Sequence, residues 1–281
     1  MPSTPPPRRR TSKPKSPPPP IPLPPIPAQQ SLSTLSLADV LRGLGLDHAA
    51  AQLEVVLSKA IARNAPISEV MDDLFRDELR LQLEGSARAS VKRSAIFPLT
   101  TLESYDFDFP KHIDKALVLK AASLDFLEHK SNVVFVGPPG VGKTHLANAI
   151  GLSACLRGFR VRFVVSADLV NDLVAAQARN TLAKRLAYWA SVDLLIIDEL
   201  GYLSFDSRGA DLLYQVFNRR YQRSSTIVTT NLAFRDWGKL FHNAAAATAI
   251  ADRLVHNGII VTIAGRSKRP PEGAPDLPTA A

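Results

Sequence analysis

The sequence predicts an α/β protein built on a five-stranded parallel sheet, preceded by a small all-helical module and a proline-rich tail. Three observations carry this. From about Leu102 onward, short apolar runs alternate with helical patterns. Those runs are rich in β-branched residues and lack a clean apolar–polar alternation, as strands do when both sheet faces are covered. The first run leads directly into a glycine-rich loop that opens a helix.

Residues 1–30 hold thirteen of the 22 prolines, together with Arg8, Arg9, Arg10, Lys13 and Lys15 and no acidic residue. Such a segment cannot bury apolar surface, and proline removes backbone donors, so disorder with some polyproline-II character is expected. The tail carries five of the chain's eight net positive charges. That charge suits nucleic-acid phosphates, and it equally suits a solubilising extension. From Ser31 to about Leu83 the pattern is helical. Leu37, Val40, Leu41 and Leu44 keep three- and four-residue spacing, as do Leu53, Val56, Leu57 and Ala60, and a third run carries Leu74, Leu79 and Leu81. Arg88, Lys92 and Arg93 follow as a basic linker. This helical domain, over 31–97, is expected to hold DNA or a partner protein, or to be a plain bundle with solvated charges.

The second domain spans 98–270. Its expected strands are 133–137, 160–165, 194–198, 226–230 and 259–263, and residues 271–281 form a disordered C-terminal tail. A chain of 281 residues is long enough for this arrangement of one good core and a smaller module. Cys155 is the only cysteine. That excludes an intrachain disulfide and a cysteine-built zinc site, and it fits a reducing cytoplasm. No stretch approaches the roughly 18–20 apolar residues of a membrane span. The basic N-terminus has no apolar signal core, so secretion is not expected.

The chemistry begins at Gly137-Pro138-Pro139-Gly140-Val141-Gly142-Lys143-Thr144. This is the eight-residue P-loop pattern, in its confirming context between a strand and a helix that takes in His145. Its glycines let backbone N–H groups turn in around phosphates, and the helix N-terminus adds partial positive charge. Lys143 is expected to reach the β- and γ-phosphates of ATP, and the Thr144 hydroxyl to ligate Mg²⁺. The strand 194–198 ends in Asp198-Glu199, at the sheet edge where ligands bind. Asp198 is suited to hold Mg²⁺ there, and Glu199 to polarise the attacking water as general base. The next strand ends in Thr229-Thr230-Asn231, where an asparagine can sense the γ-phosphate or simply cap a turn. Arg253 and Arg269 can each stabilise transition-state charge or sit in weak surface ion pairs. The residues alone leave that choice open.

Together these segments resemble AAA+ ATPases of the IstB/DnaC group. The resemblance is carried by FVGPPGVGKTHLA (135–147), DLLIIDELGYL (193–203), RRY (219–221), STIVTTN (225–231) and IADRLVH (250–256). Asp236-Trp237-Gly238 is closer to the insertion-sequence helper IstB than to the helicase loader DnaC. The resemblance runs from about Leu35 to Arg269. It implies Walker A positions at Lys143 and Thr144, Walker B at Asp198 and Glu199, and sensor 1 at Asn231. It also implies an arginine finger at Arg253 that acts in a neighbouring subunit, and sensor 2 at Arg269. The family segment before sensor 2 resembles Gly-Glu-Ser-Tyr-Arg, whereas this chain has Gly265-Arg266-Ser267-Lys268-Arg269. Lys268 and Arg266 are therefore alternatives for that position.

The resemblance further implies a homo-oligomer assembled with ATP on double-stranded DNA, assisting a partner transposase in strand transfer and target choice. The alternatives are a helicase loader that prefers single-stranded DNA and a nucleotide-gated scaffold with little turnover. Candidate DNA contacts are Arg88, Lys92, Arg93, Arg179, Lys184 and Arg185, which would make binding steeply salt-dependent.

Overall fold

The computed structural model describes residues 35–202, 204–241 and 244–267. The proline-rich segment, the C-terminal tail, Lys268 and Arg269 lie outside the described residues. Among the described residues no helix is long and apolar enough to cross a membrane. The chain divides into two compact units, Met1–Glu78 and Leu79–Ala281.

In the first unit, α1 (Leu37–Gly43), α2 (Asp47–Arg63) and the first part of α3 (Ile67–Ser94) pack together. Ser36 caps α1 by accepting from the Asp39 amide at 3.2 Å. Glu78 is buried and accepts from the Ala49 amide at 2.8 Å, satisfying a free donor in the first turn of α2. The apolar spacing located the helices but not the core. Leu41, Leu53, Ala60 and Leu74 are buried, whereas Leu37, Leu44 and Leu57 are exposed. Three helices enclose too little volume to cover every apolar side chain they carry.

The expected basic linker is helical instead. α3 continues to Ser94, so Arg88, Lys92 and Arg93 sit on a helix in the second unit. That stretch is held by packing: Val91 and Ile96 join the large core, and the Ser90 hydroxyl donates to the Phe159 carbonyl at 3.2 Å.

The second unit is a layered α/β domain. Its sheet has the order β1-β6-β2-β5-β4-β3, with β2 (Val133–Val136), β3 (Val161–Val165), β4 (Leu194–Leu200), β5 (Ser225–Thr230) and β6 (Ile259–Ala264) all parallel. These are the five expected strands. The addition is β1 (His112–Ile113), a two-residue antiparallel edge on β6. Alternate strand residues face two separate cores. Leu195, Ile197 and Val134 pack with α7 (Ser166–Ala178), α8 (Leu182–Ala190), α9 (Ser207–Arg220), α10 (Trp237–Phe241) and α11 (Ala244–Val255). Leu194, Ile196, Val133 and Phe135 pack with α4 (Lys115–Ala122), α5 (Asp125–Glu128) and α6 (Lys143–Leu156). Both faces of the central strands are covered, which is why β2 and β4 read as near-continuous apolar runs, whereas β6 near the sheet edge alternates between buried and more exposed residues.

Candidate nucleotide site

The loop 137–142 joins β2 to α6 at the C-terminal edge of the sheet. Gly142 caps α6 with φ +89°, and a side-chain carbon there would lie 2.5 Å from the Tyr105 ring. Tyr105 braces the loop from beneath: its hydroxyl donates to the Val141 carbonyl at 2.9 Å. Burial, and secondarily the charge of Asp106, pushes its pKa up to about 12, so it stays a neutral donor. Gly140 also has positive φ (+78°) and is overlain by Ser267, so the chain leaving β6 crosses the loop. The free amides of the first turn of α6 open at this point.

Lys143 is buried, with its ammonium donating to the carbonyls of Gly137 at 2.8 Å and Pro138 at 2.7 Å. The Thr144 hydroxyl lies 3.0 Å from both carboxylate oxygens of Asp198. Asp198 is itself 4% exposed. The Thr229 hydroxyl donates to Asp198 and accepts from the Glu199 amide at 3.0 Å. Beyond Ile197 the register with β5 shifts before Leu200, and Glu199 adopts φ +59°. That local irregularity turns the Glu199 side chain out of the strand's alternation, so it lines the same cavity as Lys143 and Thr144. The cavity is about 240 Å³ and also takes in Gly140, Gly142, Thr229, Thr230, Tyr202 and the Pro98–Thr100 segment.

Of the expected site residues, the structure brings together the loop, Lys143, Thr144, Asp198 and Glu199. Asn231 follows β5 beside Gly201, and its Oδ1 is buried with no hydrogen-bond partner among the described residues. His145 turns its ring toward the covering segment, 3.0 Å from the Thr101 carbonyl and 3.1 Å from the Ser104 hydroxyl. Arg253 does not line this cavity. It lies on α11 with its guanidinium donating to Asn218 at 3.2 Å, the Ala249 carbonyl at 2.8 Å and the Tyr214 hydroxyl at 3.2 Å. Arg266 is exposed just before Ser267. Of the candidate DNA contacts, Arg88 pairs with Glu84 at 3.7 Å, and Lys92, Arg93, Arg179 and Lys184 are exposed. Arg185 is engaged within the domain, paired with Asp172 and stacked 4.4 Å over Tyr188.

Sequence reading missed Thr229 as a bridge, Asn148 in the cavity wall, and the 98–105 cover. Thr229 stood in the quoted strand end, but its role depends on the pairing of β4 with β5. The Asn148 amide donates to the Pro98 carbonyl at 3.1 Å, while its Oδ1 is buried without a partner among the described residues. The donor set fits Mg²⁺, since Thr144 and Asp198 offer a hydroxyl and a carboxylate, both hard oxygens. No group of three His, Cys, Asp or Glu side chains suited to a metal occurs among the described residues. A cation here would take its remaining ligands from phosphate and water.

Comparison with known proteins gives this site its family. The family described as IstB-like ATP binding protein matches residues 39–272. The chain is 37% identical over 226 residues to the insertion sequence IS232 putative ATP-binding protein of Bacillus thuringiensis subsp. berliner, covering 80% of this chain and 90% of that one. It is 36% identical over 230 residues to the insertion sequence IS21 putative ATP-binding protein of Pseudomonas aeruginosa, covering 82% and 87%. Among solved structures, the replication initiator DnaA bound to AMPPCP and single-stranded DNA matches with a TM-score of 0.51 at 25% identity, over 60% of this chain and 51% of that one. The P-loop closed by Thr144 and Asp198, on a sheet of this order, therefore belongs to a known lineage: the chain is a member of the IstB-like ATP-binding proteins of insertion sequences, on a P-loop AAA+ fold.

Proposed function

We propose that this protein is an ATP-dependent transposition helper. In this reading it hydrolyses ATP with Mg²⁺ in the cytoplasm, oligomerises on double-stranded DNA and assists a partner transposase in target selection and strand transfer. The observation that carries the proposal is the chain of contacts Thr144–Asp198–Thr229–Glu199 at the mouth of a P-loop, in a chain that belongs to an insertion-sequence family.

Lys143 and the amides of α6 bind the β- and γ-phosphates. Thr144 and Asp198 hold the cation; bound Mg²⁺ supplies neutralisation of the phosphate oxygens. Glu199, on the strand end that Thr229 fixes, takes the proton of the attacking water. Asn231 brings its unpartnered Oδ1 to orient that water or read the γ-phosphate. Arg253 completes the site of a neighbouring subunit, a role supported by its place on α11, outside its own cavity. Arg269 is the sensor 2 residue in this reading. The helical unit meets DNA or the transposase, and Arg88, Lys92 and Arg93 near the end of α3, in the second unit, are candidate DNA contacts.

The test uses the full chain, with duplex and single-stranded DNA over a series of salt concentrations, with and without ATP. Binding is expected to prefer duplex, to strengthen with ATP, and to weaken steeply with salt. Glu199→Gln is expected to bind ATP and lose its turnover. Failure to bind duplex at low salt, with or without ATP, overturns the helper reading. Unchanged turnover in Glu199→Gln overturns the general-base role.

A further inference from the structure

The parallel strands have two ends, and the nucleotide cavity uses only one. Arg160 precedes β3, Asp193 precedes β4 and Ser224 precedes β5. These residues share the opposite, N-terminal edge of the sheet, where they line a groove of about 340 Å³ with Arg219, Arg223 and the last turn of α8. From this arrangement we propose that the groove binds the phosphodiester backbone of nucleic acid, with Arg160, Arg219 and Arg223 as its phosphate contacts. The proposal rests on the reading that the protein works on duplex DNA, and it assigns that DNA a surface.

The charge balance of the groove supports this occupant. The one carboxylate lining it is Asp193. Arg160 binds that carboxylate through its amide at 2.9 Å and its guanidinium at 3.1 and 2.8 Å. This pairing cancels the negative charge and fixes the arginine. Arg219 and Arg223 are exposed and have no ion-pair or hydrogen-bond partner for their side chains among the described residues. Their planar forks suit paired phosphate oxygens.

A helix C-terminus at such a groove would ordinarily repel anions, because its last carbonyls point outward. Here Arg220 offsets part of that negative field. It is 1% exposed and lies behind the groove, donating to the carbonyls of Trp189 at 2.8 Å, of Val192 at 3.0 Å, and of Ser225. The groove is therefore backed by a buried guanidinium that holds the Trp189 carbonyl of the last turn of α8 and the Val192 and Ser225 carbonyls of the strand entries. Ser224 adds a buried hydroxyl with no hydrogen-bond partner among the described residues.

The positive surface also continues past the groove. Two residues after Arg160 on the edge strand β3, Arg162 donates to the Tyr188 hydroxyl at 2.7 Å, and Arg185 stacks on the same ring at 4.4 Å. Arg162 also donates to the carbonyl of Arg93, which brings the end of α3 to the same edge. Arg185 is paired with Asp172, so Arg162 is the cation that extends the groove along this edge, and phosphates spaced along a backbone can meet it together with Arg219 and Arg223.

The test compares the full chain with Arg219→Ala/Arg223→Ala for duplex binding over a salt series. Both residues are exposed and none of the nucleotide machinery touches them, so ATP turnover without DNA and the melting temperature should hold. The double variant should lose about two units of the log K against log salt slope, and hence on the order of 50-fold in affinity at about 0.1 M salt. Lys111→Ala/Lys120→Ala, which removes the same charge elsewhere, should keep the wild-type slope. A double variant that binds duplex with unchanged slope overturns the groove while leaving the helper reading intact, and it would turn the search to an acidic protein partner. A wild-type chain that binds no duplex overturns the helper reading itself.

Discussion

Thr229 concentrates the logic of the site in one hydroxyl. It donates to the Asp198 carboxylate and accepts from the Glu199 amide, so it fixes the two acidic residues relative to each other. Thr229→Val keeps the shape and removes the bridge. Leaving a buried donor and acceptor unpaired costs about 1–3 kcal/mol. If that cost falls on the geometry of the general base, turnover should drop roughly 10- to 100-fold while ATP binding holds within a few-fold. Phosphate release and nucleotide titration separate the two quantities, and equal loss of both would mean that Thr229 serves binding instead. Gly142→Ala is a harsher change. It forces a side chain into φ +89° against Tyr105, at a cost of about 1–2 kcal/mol for the backbone alone. It should lower both the melting temperature and ATP affinity. Lys143, Thr144, Asp198 and Glu199 were legible in the sequence because each belongs to a local pattern whose spacing is itself the signal. Thr229 was not, because its partners lie 31 and 30 residues away and are reached only through strand pairing and the register shift in β4.

At the scale of elements, β2 and β4 could be read from sequence because burial on both faces leaves a near-continuous apolar run, and β3, β5 and β6 because their β-branched and aromatic residues recur between helical patterns. β1 could not, since two residues carry no periodicity. The extent of α3 was misread because its C-terminal half is rich in charge and looks like a linker, whereas Val91 and the chain just after it pack into the large core. In the small helical unit the spacing showed helices but could not say which apolar residues they bury. The join between β3 and β4 carries a pH prediction. The Asp193 carboxyl is held below the ordinary carboxylate range chiefly by the Arg160 side-chain hydrogen bond, with burial opposing. A depressed folded-state pKa stabilises the protein above the unfolded value, near about 4, and that stability is lost as pH falls through the folded value. Arg160→Met should therefore flatten the acid limb of stability below about pH 5, which melting temperatures across a pH series would detect. An unchanged acid limb would assign acid sensitivity to other carboxylates.

For the whole molecule, the nucleotide cavity at one end of the sheet and the arginine on α11 are not in contact within one chain. Arg253 is held by Tyr214, Asn218 and the Ala249 carbonyl, and stacks 4.9 Å from the Tyr214 ring. On the proposed reading Arg253 acts in the active site of the next subunit, and ATP hydrolysis is then a property of the assembly. The sequence alone left Arg253 open between a catalytic arginine and a surface ion pair, because a residue that acts in another chain carries no local signature. The most direct test is turnover in mixtures of a Lys143→Ala chain with an Arg253→Ala chain, titrated across ratios at fixed total protein. Each chain alone should be nearly inactive, and activity should return on mixing, with a maximum near equal amounts, because an intact P-loop then meets an intact arginine. No recovery at any ratio, or full activity in the Arg253→Ala chain alone, would contradict a shared site.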